Sequence, residues 1–548
     1  MQKTKSIYEI SVAIASVVFG ISSKQTNMIS NKQNMINRTY LFAAALLSLI
    51  SCQKTGAEPG KEPLPVLPEA ESTYILQSCE DITSYQSHSI SNKASLYMAK
   101  GEAEHFQIVI TTGKKGKLSV KRENPVDGLS CEVYEIREFN GKDDVLIPCE
   151  GRQIETKTKI VKIWVSYRSS RTIAPGDYQE IITFSGSAGE YKVGVDARVY
   201  DVEMPVASAL PSLMGINTSM IDPSAKGEPL LAKRRIVSDM LLERRLTPFF
   251  CTWWAGTMQT QCSSSPYFWS DARTAEYLAD PRMTHVLMPN IDMSIEDMRS
   301  SADNLRKLDP DKKRVYYVWD EPSEISTYDK IRQLSDDVHK ADADGKVITT
   351  FYCGPTDKGN NNLKDILSVW DHLSGATSYF STSTWLLAPS PAQRSKAFAD
   401  KCAEGQEWWT YVCMAETPGL AYNSSGFQNR ASVWRSYFDG NKGFLYWAVN
   451  AFSSLYPLRS RSDLPSGDGI LVYPGDPFGA DGFIPSLRLE RFADGLEDYD
   501  LLKMVESKTS RAKALEILAK VYRSNTEIVI KASAVTSFKK ELLETLTK

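Results

Sequence analysis

The residues best placed to do chemistry close the stretch Val315-Tyr316-Tyr317-Val318-Trp319-Asp320-Glu321-Pro322, where a β-branched and aromatic run ends on two adjacent carboxylates and a proline. The run reads as a buried strand, and proline cannot continue a sheet ladder, so both acids fall at the strand's carboxyl end. In parallel α/β architectures ligands bind beyond those ends. Asp320 and Glu321 thus read as a general acid–base pair. Taken alone, the tetrapeptide is equally well explained by a turn-capping Asp320 beside a solvated Glu321.

Other strand ends favour the chemical reading. Asn290, Trp253, Trp254, Tyr352, Tyr411, Tyr446, Trp447 and Asn450 all follow apolar runs. Aromatic faces pack on the C–H faces of pyranose rings, and amides and carboxylates bond the hydroxyls, so a sugar is the expected ligand. Trp408, Trp409 and Trp434 read as core. Adjacency then constrains the mechanism. In the usual glycosidase schemes two carboxyl groups flank the scissile bond about 5–9 Å apart. Neighbours on one strand suit a substrate-assisted scheme better, with the sugar's own 2-acetamido oxygen as nucleophile. One carboxylate orients the acetamido group, and the other protonates the leaving oxygen and then deprotonates water. Close carboxylates raise one another's proton affinity, which keeps the acid protonated.

The elements that must position these residues fall into two regions. From residue 73 to 207 the segments are short, β-rich and separated by turns, as a β-sandwich requires. Alternation in Tyr191-Lys192-Val193-Gly194-Val195-Asp196-Ala197-Arg198-Val199 predicts one apolar and one polar face. From 208 to 485 apolar strands alternate with amphipathic helices, predicting a (β/α)8 TIM-like barrel. The expected strands are 212–217, 247–253, 284–290, 315–319, 346–353, 368–373, 407–413 and 443–450. A helix capped by Ser294, with Asp297 at its third position, follows the third strand. Residues 486–548 form a helical tail that closes the barrel. Its Arg488, Glu490, Asp494, Glu497 and Asp498 read as a salt-bridged helix start. Asp468 and Tyr473 either reach the barrel mouth or serve the turn at Gly467-Asp468-Gly469. The fold class is α/β plus all-β.

The chain has 548 residues and is 42% hydrophobic, enough for a large core and more than one domain. Lys plus Arg number 64 against 67 Asp plus Glu, so no overall field recruits nucleic acid. Two N-terminal apolar runs, 10–21 and 40–50, are too short for a comfortable membrane span. The second follows Arg38 and ends in Leu49-Ile50-Ser51-Cys52, the order of a bacterial lipoprotein signal. Residues 1–52 are therefore expected to be a signal region, with Met35 the true start and Cys52 lipidated. Residues 53–72, rich in Pro, Gly, Lys and Glu, form a flexible tether. The expected location is the bacterial cell envelope, with membrane contact only through the lipid. The 9 cysteines form no CxxC pair, and a bridge between Cys131 and Cys149 is left open. The 5 histidines show no ligand spacing, and neither metal nor cofactor is expected.

The chain resembles glycoside hydrolase family 123. The resemblance rests on Val318-Trp319-Asp320-Glu321-Pro322, Gly443-Phe444-Leu445-Tyr446-Trp447-Ala448-Val449-Asn450, and Gly467-Asp468-Gly469-Ile470-Leu471-Val472-Tyr473-Pro474-Gly475. Ser486-Leu487-Arg488-Leu489-Glu490 and Asp494-Gly495-Leu496-Glu497-Asp498-Tyr499 complete it. It implies an exo-acting retaining β-N-acetylgalactosaminidase acting on terminal β-linked N-acetylgalactosamine. Asp320 would orient the acetamido group and Glu321 would be the acid/base. From strand-end position, Trp447 is the candidate pocket floor and Tyr411 a candidate donor to the acetamido oxygen. Competing readings are a glycosidase of the same fold with another sugar preference, and a glycan-binding surface lipoprotein without turnover. The intact acid pair speaks against the second.

Overall fold

A computed structural model describes residues 72–222, 228–251, 278–290, 293–354, 360–388, 390–414 and 416–548. The signal region, Cys52, the tether, Trp253, Trp254 and Cys262 lie outside the described residues. No described helix is long and apolar enough to cross a membrane.

Ten strands make the N-terminal region. They are β1 (Ser72–Gln77), β2 (Lys93–Lys100), β3 (Ala103–Thr111), β4 (Lys117–Glu123), β5 (Leu129–Phe139), β6 (Lys142–Pro148), β7 (Ile154–Glu155), β8 (Ile160–Ser169), β9 (Gly176–Gly186) and β10 (Gly189–Glu203). They form two five-stranded sheets in the orders β1-β3-β8-β5-β6 and β2-β10-β9-β4-β7. Tyr191, Val193, Val195, Ala197 and Val199 of β10 point inward, as their alternation predicts, and meet Phe106, Ile108 and Ile163 of the facing sheet. Strand β3 is buried on both faces. Its second face carries His105, stacked on Trp164 with ring centroids 5.1 Å apart, and turns toward the C-terminal helices. Cys131 and Cys149 are free thiols.

Eight parallel strands follow: β11 (Ser212–Asn217), β12 (Pro248–Cys251), β13 (His285–Leu287), β14 (Lys313–Trp319), β15 (Lys346–Phe351), β16 (Tyr379–Ser383), β17 (Glu407–Tyr411) and β18 (Phe444–Tyr446). Their order, β12-β11-β18-β17-β16-β15-β14-β13, runs around a nearly closed barrel. Among the described residues only the β12/β13 joint carries no ladder.

The helices are α1 (Glu228–Glu243), α2 (Ile295–Leu308), α3 (Ile325–Ala341), α4 (Leu363–Leu373), α5 (Pro391–Lys401), α6 (Gly426–Asp439), α7 (Leu487–Lys508), α8 (Arg511–Leu518) and α9 (Ala532–Thr547). Ser294 caps α2 as its sequence predicts, its Oγ accepting the Asp297 N–H at 3.1 Å. The expected sixth strand is a correction. Residues 368–373 are the last turns of α4, where Ile366, Val369, Trp370 and Leu373 recur at helical spacing and are buried. The sixth strand is Tyr379-Phe380-Ser381-Thr382-Ser383, every residue of which is buried. Its Ser and Thr hide it from a search for apolar runs.

Residues Glu69–Lys548 pack as one unit, and α7 is its centre. This helix packs on α6, α9 and β6, and its Phe492 ring lies 4.9 Å from that of Phe444 on β18, so it joins the sandwich to the barrel wall. Arg430 of α6 donates to Asp498 at 2.6 Å and Asp494 at 3.1 Å, while His105 of β3 meets Asp494 at 2.6 Å. Arg488 holds Asp144 of β6 at 2.9 Å, and Tyr473, fully buried, donates to the same carboxylate at 2.6 Å. Tyr473 therefore turns toward the sandwich rather than the barrel mouth.

Candidate active site

The barrel interior is filled by side chains from all eight strands, among them Leu213, Phe249, Leu287, Val315, Ile348, Tyr379, Trp409 and Leu445. Tyr317 and Tyr411 belong to the same cluster, two residues beyond Val315 and Trp409 on their strands. Alternation thus delivers two phenols to the carboxyl-end rim of an apolar core. Trp409 lies against Gly443, where a Cβ would come within 2.1 Å of the indole, so only glycine fits there.

The end of β14 is irregular. Its register with β15 shifts between Tyr317 and Trp319, and Trp319 packs with the outer cluster of Tyr316 and Val318. Strict alternation would have turned Trp319 inward. The bulge gives that inward place to Asp320 instead. Asp320 Oδ1 accepts from the Tyr317 hydroxyl at 2.6 Å and the Thr350 hydroxyl at 2.5 Å. Among the described residues Oδ2 takes no protein hydrogen bond. Burial raises the Asp320 carboxyl above its ordinary value, and the two hydroxyl bonds partly counter that.

Glu321 has φ of +47°, the left-handed region that costs a non-glycine residue on the order of 1 kcal/mol or more. Its N–H donates to Thr350 Oγ1 at 3.0 Å, so one threonine hydroxyl holds both acidic residues. Its Oε1 accepts from the Tyr411 hydroxyl at 2.5 Å. Tyr411 is buried, and burial together with the Glu321 charge pushes its phenol well above the ordinary range. It stays a donor at any physiological pH. Its recorded partner is thus the expected acid/base, where the sequence suggested the substrate's acetamido oxygen.

The remaining expected contacts divide. Trp447, half-buried just past β18, donates from Nε1 to Asp468 Oδ1 at 3.2 Å. Tyr352 stacks on Trp385 with centroids 5.1 Å apart and planes within 9°. Asn290 donates to the Tyr317 carbonyl at 3.1 Å, and its own carbonyl oxygen has no partner among the described residues. Tyr446 is 1% exposed and donates to Asp468 at 3.0 Å, inside the wall of the site. Asn450 is equally buried. Its amide accepts from Asn217 N–H at 2.7 Å and donates to the Asn217 carbonyl at 3.0 Å, joining the ends of β11 and β18. These bonds occupy Tyr446 and Asn450 in holding the rim together.

Four side chains here escaped the sequence reading. Tyr317 and Thr350 looked like ordinary strand residues, and only the register shift brings them to Asp320. Trp385 follows the strand that was missed. Glu416, beyond β17, accepts from the Thr384 hydroxyl and, at 3.7 Å, from the Cys413 thiol. Burial pushes its carboxyl up to about 8. No motif marks it. Among the described residues no group of three or more His, Cys, Asp or Glu is arranged to hold a metal ion.

Residues 305–505 match the sequence profile of the glycoside hydrolase 123 catalytic domain. That span contains β14 through β18, both acids and nearly all of α7. The fold is similar to a solved family 123 glycoside hydrolase from Clostridium perfringens, studied for glycolipid glycan hydrolysis. The TM-score is 0.64 at 13% identity, covering 87% of this chain and 98% of that one. A β-galacturonidase from Eisenbergiella tayi aligns at TM-score 0.31 and 11% identity, over 72% of this chain and 69% of its own. A β-D-glucuronidase from Dictyoglomus thermophilum aligns at 0.29 and 7%, over 78% and 68%. These two are too distant to bear on the site. A comparison with curated protein sequences finds no match. Residues 305–505 thus carry the catalytic domain of glycoside hydrolase family 123, which makes the chain a glycoside hydrolase.

Proposed function

We propose that the enzyme is an exo-acting, retaining β-N-acetylgalactosaminidase that uses its substrate's acetamido group as nucleophile. The observation that carries this reading is the division of labour between adjacent acids. Asp320 receives both hydroxyl bonds on Oδ1, which leaves Oδ2 for an acetamido N–H. Glu321, turned by its left-handed backbone, meets a phenol instead. The acetamido oxygen attacks the anomeric carbon as the glycosidic C–O bond breaks, and Glu321 gives its proton to the leaving oxygen. Asp320 stabilises the positive charge that develops on the acetamido nitrogen of the oxazolinium ring. Glu321, now a carboxylate, takes a proton from water as that water adds to the anomeric carbon and reopens the ring. Two displacements retain configuration.

Trp447 supplies the apolar floor, and Asn290 and Tyr352 are polar and aromatic contacts for the sugar. A glycan ending in β-linked N-acetylgalactosamine, on a glycolipid or a protein, is the substrate class. Cys52 as a lipid-bearing residue places the enzyme on the bacterial envelope; a Cys52→Ala variant should then partition into the aqueous rather than the detergent phase. The test of the activity is nitrophenol release from an aryl β-N-acetylgalactosaminide, with turnover of poor leaving groups lost in Glu321→Gln. Release from a non-acetylated aryl glycoside alone would overturn the proposal.

A further inference from the structure

The turn Gly467-Asp468-Gly469 closes through its backbone. Its backbone bond runs from Asp468 N–H to the Pro465 carbonyl at 3.0 Å, and the two glycines supply φ of +86° and +70°. The Asp468 carboxylate, 4% exposed, reaches beyond the turn as well. Oδ1 accepts from Trp447 Nε1 at 3.2 Å and from the Tyr446 hydroxyl at 3.0 Å, at the end of β18. Oδ2 accepts from the Met414 N–H at 2.7 Å, three residues past the Tyr411 that bonds Glu321. Met414 itself has φ of +58°, a conformation that needs a holding contact. Gly469 adds a steric stop, since a Cβ there would come within 2.4 Å of the Trp447 ring.

We propose that Asp468 is a positioning residue that sets the Trp447 face against the sugar and locks it to the strand end carrying Tyr411. The geometry supports this over a purely structural role, because one buried carboxylate, besides meeting the Gly469 N–H of its own turn, reaches out to tie two strand ends of the site. The donors are all neutral, so no ion pair accounts for burying the charge; burial raises the carboxyl's proton affinity, and these bonds oppose that. The inference rests on Trp447 being the floor of the sugar pocket.

The test compares steady-state kinetics on an aryl β-N-acetylgalactosaminide for Trp447→Ala, Asp468→Ala, Asp468→Asn and the double alanine variant, with melting temperature recorded for each. Losing a charge-assisted bond to the ring's anchor should raise KM by about tenfold while kcat changes by less than about threefold. Asp468→Asn, which keeps one carbonyl acceptor, should recover part of that and serves if the alanine variant does not fold. The double variant should show no larger KM than Trp447→Ala alone, because both changes remove one platform. A KM unchanged in both Asp468 variants, or additive effects in the double variant, would overturn the positioning role alone. A KM unchanged in Trp447→Ala would overturn the floor reading and the inference with it.

Discussion

At the ends of β14 and β17, Asp320 and Glu321 take their hydrogen bonds from the hydroxyls of Tyr317, Thr350 and Tyr411. On α7, Asp494 and Asp498 also accept from neutral groups, Ser78 and Trp434, but each is paired besides with a cationic partner, His105 or the Arg430 guanidinium. Both regions are buried and rich in carboxylates, but the partners differ in charge. A cation beside a carboxylate holds it ionised and leaves it little to offer a ligand. Burial alone would raise the Asp494 carboxyl, but His105 and Arg430 bring it down to about 2. Neutral hydroxyls orient a carboxylate while leaving its protonation open to change. Clustered acids are therefore locked as ions in one place and only oriented in the other, according to what donates to them.

The sharpest way to break the contrast is to neutralise one charged residue in each region. Glu321→Gln should lower turnover of a poor leaving group by about 10²–10⁴-fold, the usual worth of a general acid, with no loss of melting temperature. Arg430→Met should do the reverse. It strands Asp494 and Asp498 in the core and should cost about 3–5 kcal/mol in a denaturant titration, while the folded fraction keeps its kcat. An Arg430→Met protein that is stable but inactive would erase the distinction.

Thr350→Val is a smaller perturbation. It removes the hydroxyl that holds Asp320 Oδ1 and the Glu321 N–H, and should lower kcat by roughly tenfold, the worth of a bond to a charged group. Thr350→Ser should restore most of it. Equal kcat in the valine variant would mean that the strained turn needs no such support.

The seam between sandwich and helices also makes a pH prediction. Burial raises the Glu497 carboxyl from 4.5 to about 8, with nearby Glu102 adding to the shift. A raised folded value means that the native state binds the extra proton. Its stabilising share is complete below 4.5 and is lost as pH rises through about 8. Glu497→Gln should flatten the decline in melting temperature across that window without moving the pH profile of kcat. A shifted activity profile would show that the seam communicates with the site.

Much of this was legible in sequence because it rests on period and composition. Seven of the eight barrel strands declare themselves as apolar runs, and the alternation of β10 orients its sheet. The acid pair stands out because proline ends its strand. Residues 368–373 misled because a β-prone hexamer closes a helix whose apolar spacing begins earlier, at Ile366. The holders of the acids were hidden for another reason. Tyr317 and Thr350 become partners of Asp320 only through a one-residue register shift, which no local pattern encodes. Asn450 reads as a ligand contact from its place at a strand end, yet the buried Asn217 backbone beside it claims its amide.

The central claim is that the neighbouring acids leave the nucleophile's role to the substrate. It is tested most directly by kcat/KM on aryl β-glycosides carrying acetyl, fluoroacetyl, difluoroacetyl and trifluoroacetyl groups on the 2-amino nitrogen. Each fluorine withdraws electrons from the attacking oxygen, so substrate assistance predicts a steep and regular fall along the series. Rates that do not respond to fluorination would contradict it and require a nucleophile from the protein.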